Sequence, residues 1–174
     1  MLLEAAAQVF QREGLGATTN RIAERAGYSI GTLYQYFGSK QALLYALAER
    51  HLHEIGAALD HTFRTLRAES PTWEQTVRRL VTCVVGLHRD HARVHTLMHD
   101  YAPRAPELVA RFEELREQMV AELAFHLDRC GRGGPDPQRT AALLFHTGDG
   151  QLHGVLLADE HAERELTRSL LALS

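Results

Sequence analysis

Thr18-Thr19-Asn20-Arg21-Ile22-Ala23-Glu24-Arg25-Ala26-Gly27-Tyr28-Ser29-Ile30-Gly31-Thr32-Leu33-Tyr34-Gln35-Tyr36-Phe37-Gly38-Ser39-Lys40 reads as two short helices joined by a tight turn, with a third helix opening at Ser-Lys. That is how a helix-turn-helix offers one face to a DNA groove. Thr18 or Thr19 can cap a helix whose inward residues are Ile22, Ala23 and Ala26, with Ala23 small enough for the next helix to cross closely. Gly27 can take the left-handed conformation that ends it. Ser29 then caps a helix on which Ile30, Leu33, Tyr34 and Phe37 recur at i, i+3, i+4 and i+7, a stripe expected to face the core. Left outside are Gly31, Thr32, Gln35 and Tyr36, a face with little bulk near its start and an amide able to read adenine. Helix-start amides suit phosphate oxygens, as does Lys40, the one lysine among 19 basic residues. Any amphipathic hairpin has glycines, caps and an apolar stripe, but it has no need of an exposed Thr-Gln-Tyr face.

Working outward, 174 residues with 45% apolar content allow one all-helical domain, or a small domain fused to a larger one, with a proper core. No window approaches the roughly 18 uninterrupted apolar residues needed to span a bilayer. The run from Leu80 to Leu87 is interrupted by Thr82. Met1 to Phe10 carries Glu4 and no basic leader, so it does not read as a secretory signal, and a soluble cytoplasmic protein is expected. Cys83 and Cys130 form no C-x-x-C and read as reduced, mostly buried small residues. Residues 1–50 carry five basic and four acidic groups, so the excess over the whole-chain charge of −3 has the sign expected of a nucleic-acid binder but a small size.

Periodicity predicts helix throughout and no strand. Leu2, Ala6, Val9 and Phe10 form a first stripe that ends at Gly14 and Gly16. Helices follow from Ser39 to about Thr65, Thr72 to about Arg89, His91 to Tyr101, and about Pro106 to the Gly131-Gly133-Gly134-Pro135 turn. Two more are expected, from about Asp136 to Ala158 and from His161 onward, about nine in all.

The run Thr-Thr-x-x-Ile-Ala-x-x-Ala-Gly-x-Ser-x-Gly-Thr-Leu-Tyr-x-Tyr-Phe-x-Ser-Lys-x-x-Leu, from Thr18 to Leu43, resembles the DNA-binding domain of the TetR family of bacterial transcriptional regulators. Leu3, Ala5, Ala6, Val9, Phe10 and Gly14 are similar to that family's first helix. The resemblance implies an all-α protein with a DNA-binding domain at 1–48 and an effector-binding and dimerisation domain at 49–174. It implies phosphate contacts by Thr19, Ser29 and Lys40, with Tyr34 and Tyr36 at aromatic positions of the recognition helix. Asn20, Ile30, Gly31, Thr32 and Gln35 fall near bases. Ile30 departs from the polar residues often found there, placed to touch a thymine methyl or no base, and Tyr28 replaces a smaller aliphatic residue.

The same resemblance implies a homodimer on a near-palindromic operator, and a repressor released when a small, largely hydrophobic effector binds. Trp73, Val84, Leu87, His88, His91, Met98, Tyr101, Phe112, Leu115, Met119 and Phe145 are the candidate pocket residues, each of which, taken alone, reads more readily as ordinary core. Ala141, Leu144, Phe145, Gly148, Leu152 and Val155 form the stripe expected to face a second copy, or to pack inside one subunit. A competing idea is metal response, because His88, His91, His95 and His99 could line one helical side. No cysteine or glutamate completes that set, so no metal and no cofactor is expected. His146, Asp149 and Ser169 are parts of a hydrolytic set with no nucleophile-bearing turn, and no enzyme is expected.

Overall fold

The computed structural model describes residues 1–89, 92–101 and 105–174, with every side chain among them except that of His99. Among the described residues there are nine α-helices and no strand. They are α1 (Leu2–Glu13), α2 (Thr19–Ala26), α3 (Ile30–Tyr36), α4 (Lys40–Glu69), α5 (Trp73–Arg89), α6 (Ala92–Tyr101), α7 (Pro106–Arg129), α8 (Pro137–Gln151) and α9 (Ala162–Ala172). No helix is long and apolar enough to cross a membrane, among the residues described. The chain forms two compact units, one of Met1–His53 with His91–Ala110 and one of Glu54–Asp90 with Arg111–Ser174.

The first unit is built on the small and large apolar residues of α1. Ala6 and Phe10 are fully buried, as are Ile22 of α2, Leu33 of α3 and Leu43 of α4, and Val94, Leu97 and Met98 of α6 join the same cluster. The first turn of α6 is fastened to the end of α1. The Gln11 side chain accepts the Val94 amide at 3.2 Å, and the Arg93 guanidinium donates to the Arg12 carbonyl at 3.0 Å. Helix ends leave amides and carbonyls without intrahelical partners, and here each helix end is satisfied from the other helix.

The second unit packs amphipathic stripes against one another. Ile55, Leu59, Phe63 and Leu66 of α4 meet Trp73, Val77, Leu80, Val81 and Val85 of α5, with Leu123 and Leu127 of α7, Leu144 of α8 and Leu166 of α9 in the same core. Its rim is polar and specific. Arg67 reaches both carboxylate oxygens of Glu122, at 3.2 and 2.9 Å, while its guanidinium lies 3.8 Å over the Phe125 ring. Arg129 holds the turn after α4 by donating to the carbonyls of Ser70 and Pro71, where Ser70 takes the left-handed φ of 49°.

The helix expected to run unbroken to Ala158 does not. After Gln151 the chain widens into a π-helical turn over Leu152–Leu156. Within it His153 Nδ1 lies 3.1 Å from the Asp149 carbonyl, the acceptor its own amide would use in a regular helix. Gly148, Gly150 and Gly154 make that stretch less costly to distort.

Gly14 sits at φ 60°, ψ −138°, a region essentially restricted to glycine, with the Arg93 guanidinium where a Cβ would go. Gly14→Ala is therefore expected to lose about 1–3 kcal/mol of stability in urea denaturation. Gly16→Ala, with open space and no positive φ, is expected to stay within about 0.5 kcal/mol of the parent.

Candidate nucleic-acid interface

Two caps and one turn set the geometry of α2 and α3. Thr18 Oγ1 accepts the Arg21 amide at 3.3 Å, and Ser29 Oγ accepts the Thr32 amide at 3.0 Å. Between them Gly27 lies at φ 73°, ψ 26°, its amide bonded to Glu24 and the Tyr28 amide reaching back to the Ala23 carbonyl at 2.9 Å. That paired return is a Schellman closure, which needs a left-handed residue and so favours glycine.

Of the four residues of α3 and its C-cap expected to face the core, only two do. Leu33 is fully buried and Phe37 packs partly against it, whereas Ile30 is 38% and Tyr34 50% exposed. A helix of about two turns can dock by only one edge, which Leu33 and Phe37 occupy at i and i+4. Tyr34 instead leans across to α2, its hydroxyl 3.1 Å from Thr19 Oγ1. Gly31, Gln35 and Tyr36 are exposed, Tyr36 most of all at 71%, and Thr32 is half-buried. Asn20 is exposed and Thr19 half-buried at the start of α2. Ser39 caps α4 by accepting the Ala42 amide at 3.0 Å.

Lys40 has a partner that the sequence does not reveal. Its ammonium donates to the Leu15 carbonyl at 2.7 Å, in the turn after α1. An ammonium has three donors, so this bond aims Lys40 without exhausting it. The arginines of α2 are also steadied by α1: Arg21 donates to Glu13 at 3.1 Å and Arg25 to Gln8 at 2.9 Å. Of the residues expected to meet DNA, Thr19 and Tyr34 are thus tied to each other across α2 and α3, and Lys40 is tied to the turn after α1.

This arrangement matches known proteins over most of the chain. The description of bacterial regulatory proteins of the tetR family fits residues 2–47, and that of the tetracyclin repressor-like C-terminal domain fits residues 72–173. The chain belongs to the TetR family. It is 30% identical to the class C tetracycline repressor protein of Escherichia coli, over 88% of this chain and 65% of that protein. It is 28% identical to the HTH-type transcriptional regulator BetI 1 of Chromohalobacter salexigens, over 97% of this chain and 90% of that one. Its fold is shared by the transcriptional regulator FadR of Bacillus subtilis, solved in complex with stearoyl-CoA, with a TM-score of 0.67 and 20% identity over 99% of this chain and 95% of FadR.

Within this TetR-family chain the residues singled out for a pocket separate. Val84, Leu87, Leu115, Met119 and Phe145 are partly buried at the margin of the second unit's core, with Phe112 half-exposed and its ring centroid 6.3 Å from that of Phe145. Trp73 is core, its indole donating to Ser174 Oγ at 2.6 Å. Met98 belongs to the core of the first unit, where Tyr101 is exposed. His91 lies outside the described residues.

The stripe expected to meet a second copy needs correction. Ala141, Leu144 and Leu152 are buried in the chain's own core, because that flank of α8 is the one packed on α5, α7 and α9 stripes. A Cβ added at Gly148 would meet Leu170 at 3.7 Å and Phe145 is half-buried, while Val155 is 77% exposed. The large apolar side chains left exposed in this part of the chain are Leu143 at 58%, Val155 and, at the end of α9, Leu173 at 52%.

The histidines do not line one helix, since α5 ends at Arg89 and α6 begins at Ala92. His91 and the His99 side chain lie outside the described residues. His95 is buried with its ring centroid 4.0 Å from that of His51. His88 is buried, bonded through Nδ1 to the Val84 carbonyl at 2.7 Å, and meets the His153 ring edge-on at 5.0 Å. Asp149 pairs with His153 at 3.2 Å, and Ser169 accepts from Gln151 at 2.6 Å, so the hydrolytic parts around His146 are engaged elsewhere.

Burial lowers the His88 pKa to about 4, against a smaller raising effect of the Val84 bond. For His153 the Asp149 bonds and charge outweigh burial and raise it. Below pH ~6.5 the unfolded chain protonates at His88 while the folded chain does not, so acidification there favours unfolding. Urea denaturation at about pH 7.5 and 5.5 should show the wild type losing roughly 1 kcal/mol relative to His88→Gln across that interval. His153 works in the opposite sense, stabilising below ~6.5 and ceasing to as pH rises through its folded pKa, but it does so in both proteins. A difference that stays constant with pH would contradict the buried neutral imidazole.

Proposed function

We propose that the chain is a DNA-binding transcriptional regulator that holds a near-palindromic operator as a homodimer and lets go when a small, largely hydrophobic effector binds. The observation that carries this is α3: Leu33 is fully buried beneath it while Tyr34, Gln35 and Tyr36 stand exposed on a helix capped at Ser29. In this reading residues 1–48 are the DNA-binding domain, and residues 49–174 bind effector and pair with a second copy. Thr19, Ser29, Tyr36 and Lys40 contact phosphates, and Asn20, Ile30, Gly31, Thr32 and Gln35 approach bases, with Tyr34 braced between α2 and the duplex. The site of action is the cytoplasm, and the role is regulatory rather than catalytic.

The partly buried apolar margin formed by Val84, Leu87, Phe112, Leu115, Met119 and Phe145 supports an effector with apolar bulk, with His88 as a polar handle. The stearoyl-CoA bound by the Bacillus subtilis FadR is a long-chain acyl compound of that broad character. The family name of tetracycline repressor favours repression over activation. A symmetric operator follows from a symmetric reader, since two recognition helices on a twofold axis contact two equivalent half-sites. Ligand-bound and DNA-bound forms then differ in the spacing of the two reading heads, which makes the coupling reciprocal.

Selection of duplex DNA from a random pool, followed by a salt titration of the winning sequence, tests this directly. Binding is expected to weaken as salt rises, and Lys40→Ala should weaken every sequence alike and reduce the salt slope by about 1 for each phosphate that the ammonium had neutralised. Absence of any salt-sensitive binding would remove the proposal. For the homodimer, Val155→Arg places a charge at an exposed apolar position of the chain and is expected to convert dimer to monomer in gel filtration. An unchanged elution volume would move the interface elsewhere.

A further inference from the structure

The chemistry of α3 is unusual for a helix that is to read DNA: from Ile30 to Tyr36 it carries neither guanidinium nor ammonium. Guanine is most often read by the fork of an arginine or by a lysine on O6 and N7. The arginines on α2 are turned to α1, Arg21 to Glu13 and Arg25 to Gln8, and Lys40 is bonded to the Leu15 carbonyl.

The groups that remain on α3 are of one kind. Thr32 bonds Ser29 twice, through its amide at 3.0 Å and its hydroxyl at 2.9 Å. The second bond orients the Thr32 side chain, which still has its methyl, and the unused capacity of its hydroxyl, to offer a base. Ile30 is 38% exposed beside it, and an added Cβ at the exposed Gly31 would meet nothing nearer than Ser29 Oγ at 3.6 Å, so the backbone can come close to the groove floor. The Tyr34 hydroxyl is engaged with Thr19. Gln35 is exposed and brings the one side-chain amide on the helix, a donor and acceptor pair that fits adenine N7 and N6.

Resting on the DNA-binding reading above, we propose that the base pairs beneath α3 are A·T pairs. Ile30 and the Thr32 methyl pack on thymine C5-methyl groups, and Gln35 reads adenine. Guanine is not contacted from this helix. Specificity of this kind follows from the absence of any cation on α3 itself as much as from what stands there.

The test uses the whole protein and the duplex won from a random pool. Thymines of the half-site are replaced one by one with deoxyuridine, which removes only the methyl, and adenines with 7-deazaadenine, which removes only N7. Removing a methyl on which the helix packs should weaken binding about 4-fold at one or two positions, and removing the adenine N7 should weaken it by roughly 5-fold or more at a neighbouring one. Ile30→Ala should abolish the uracil effect at its own position, and Gln35→Ala should make the 7-deaza substitution silent. Both side chains are exposed, so unchanged thermal melting confirms that these variants fold. A consensus with G·C pairs at the positions whose preference Ile30→Ala or Gln35→Ala relaxes, or uracil duplexes bound as tightly as thymine ones, would overturn the inference while leaving the regulator intact. Failure to bind any duplex would overturn both.

Discussion

A helix of seven residues does not persist in water on its own propensity, so α3 exists because its Leu33 is buried. That single side chain sits in a cluster with Phe10 of α1, Ile22 of α2 and Leu43 of α4, each of them without exposed surface. The caps at Thr18 and Ser29 and the left-handed Gly27 fix the entry and the angle, but they act on a helix already held by its apolar edge. Everything the outer face can do depends on this. Gln35 and Tyr36 are displayed at a defined height because Leu33 fixes the rotation of the helix, and a rotation of one residue would carry the amide out of reach of a base.

The bonds that steady the neighbours are of the same kind. Lys40 on the Leu15 carbonyl, Arg93 on the Arg12 carbonyl and the Gln11 cap on Val94 all fasten to the turn or helix end around Gly14. Each joins a charged or amide side chain to a backbone group that a helix end leaves unpaired, which is where such a bond contributes most. Surface arginine–glutamate pairs are abundant by comparison, yet exposed pairs contribute little, and the tie of Arg67 to Glu122 is notable because it is bidentate and stacked on Phe125.

Much of this was legible in the residues. Glycine and proline at 14, 27, 71 and 106 punctuate the chain where helices end or begin, so the helix count and the hairpin at 18–40 could be read from spacing alone. What spacing could not supply was partnership. Ile30 and Tyr34 keep helical periodicity with Leu33, but periodicity does not say that a two-turn helix docks by its edge. Ala141, Leu144 and Leu152 form a true apolar stripe, and nothing in a stripe distinguishes a core of its own chain from a second copy. The π-helical turn was hidden for another reason, since Leu152, Val155 and Leu156 keep the apolar spacing of an ordinary helix through it. Of the candidate site, the residue set on α3 was readable, whereas the Lys40–Leu15 and Thr19–Tyr34 bonds join positions 25 and 15 apart and leave no local signal.

The central claim is that the outer face of α3 enters a duplex. Amide hydrogen exchange, followed residue by residue with and without operator DNA, addresses it most directly. The account predicts slowed exchange concentrated over residues 29–37 and at the start of α2 when DNA is added. Tight DNA binding with exchange unchanged there, and slowed on another surface, would contradict it.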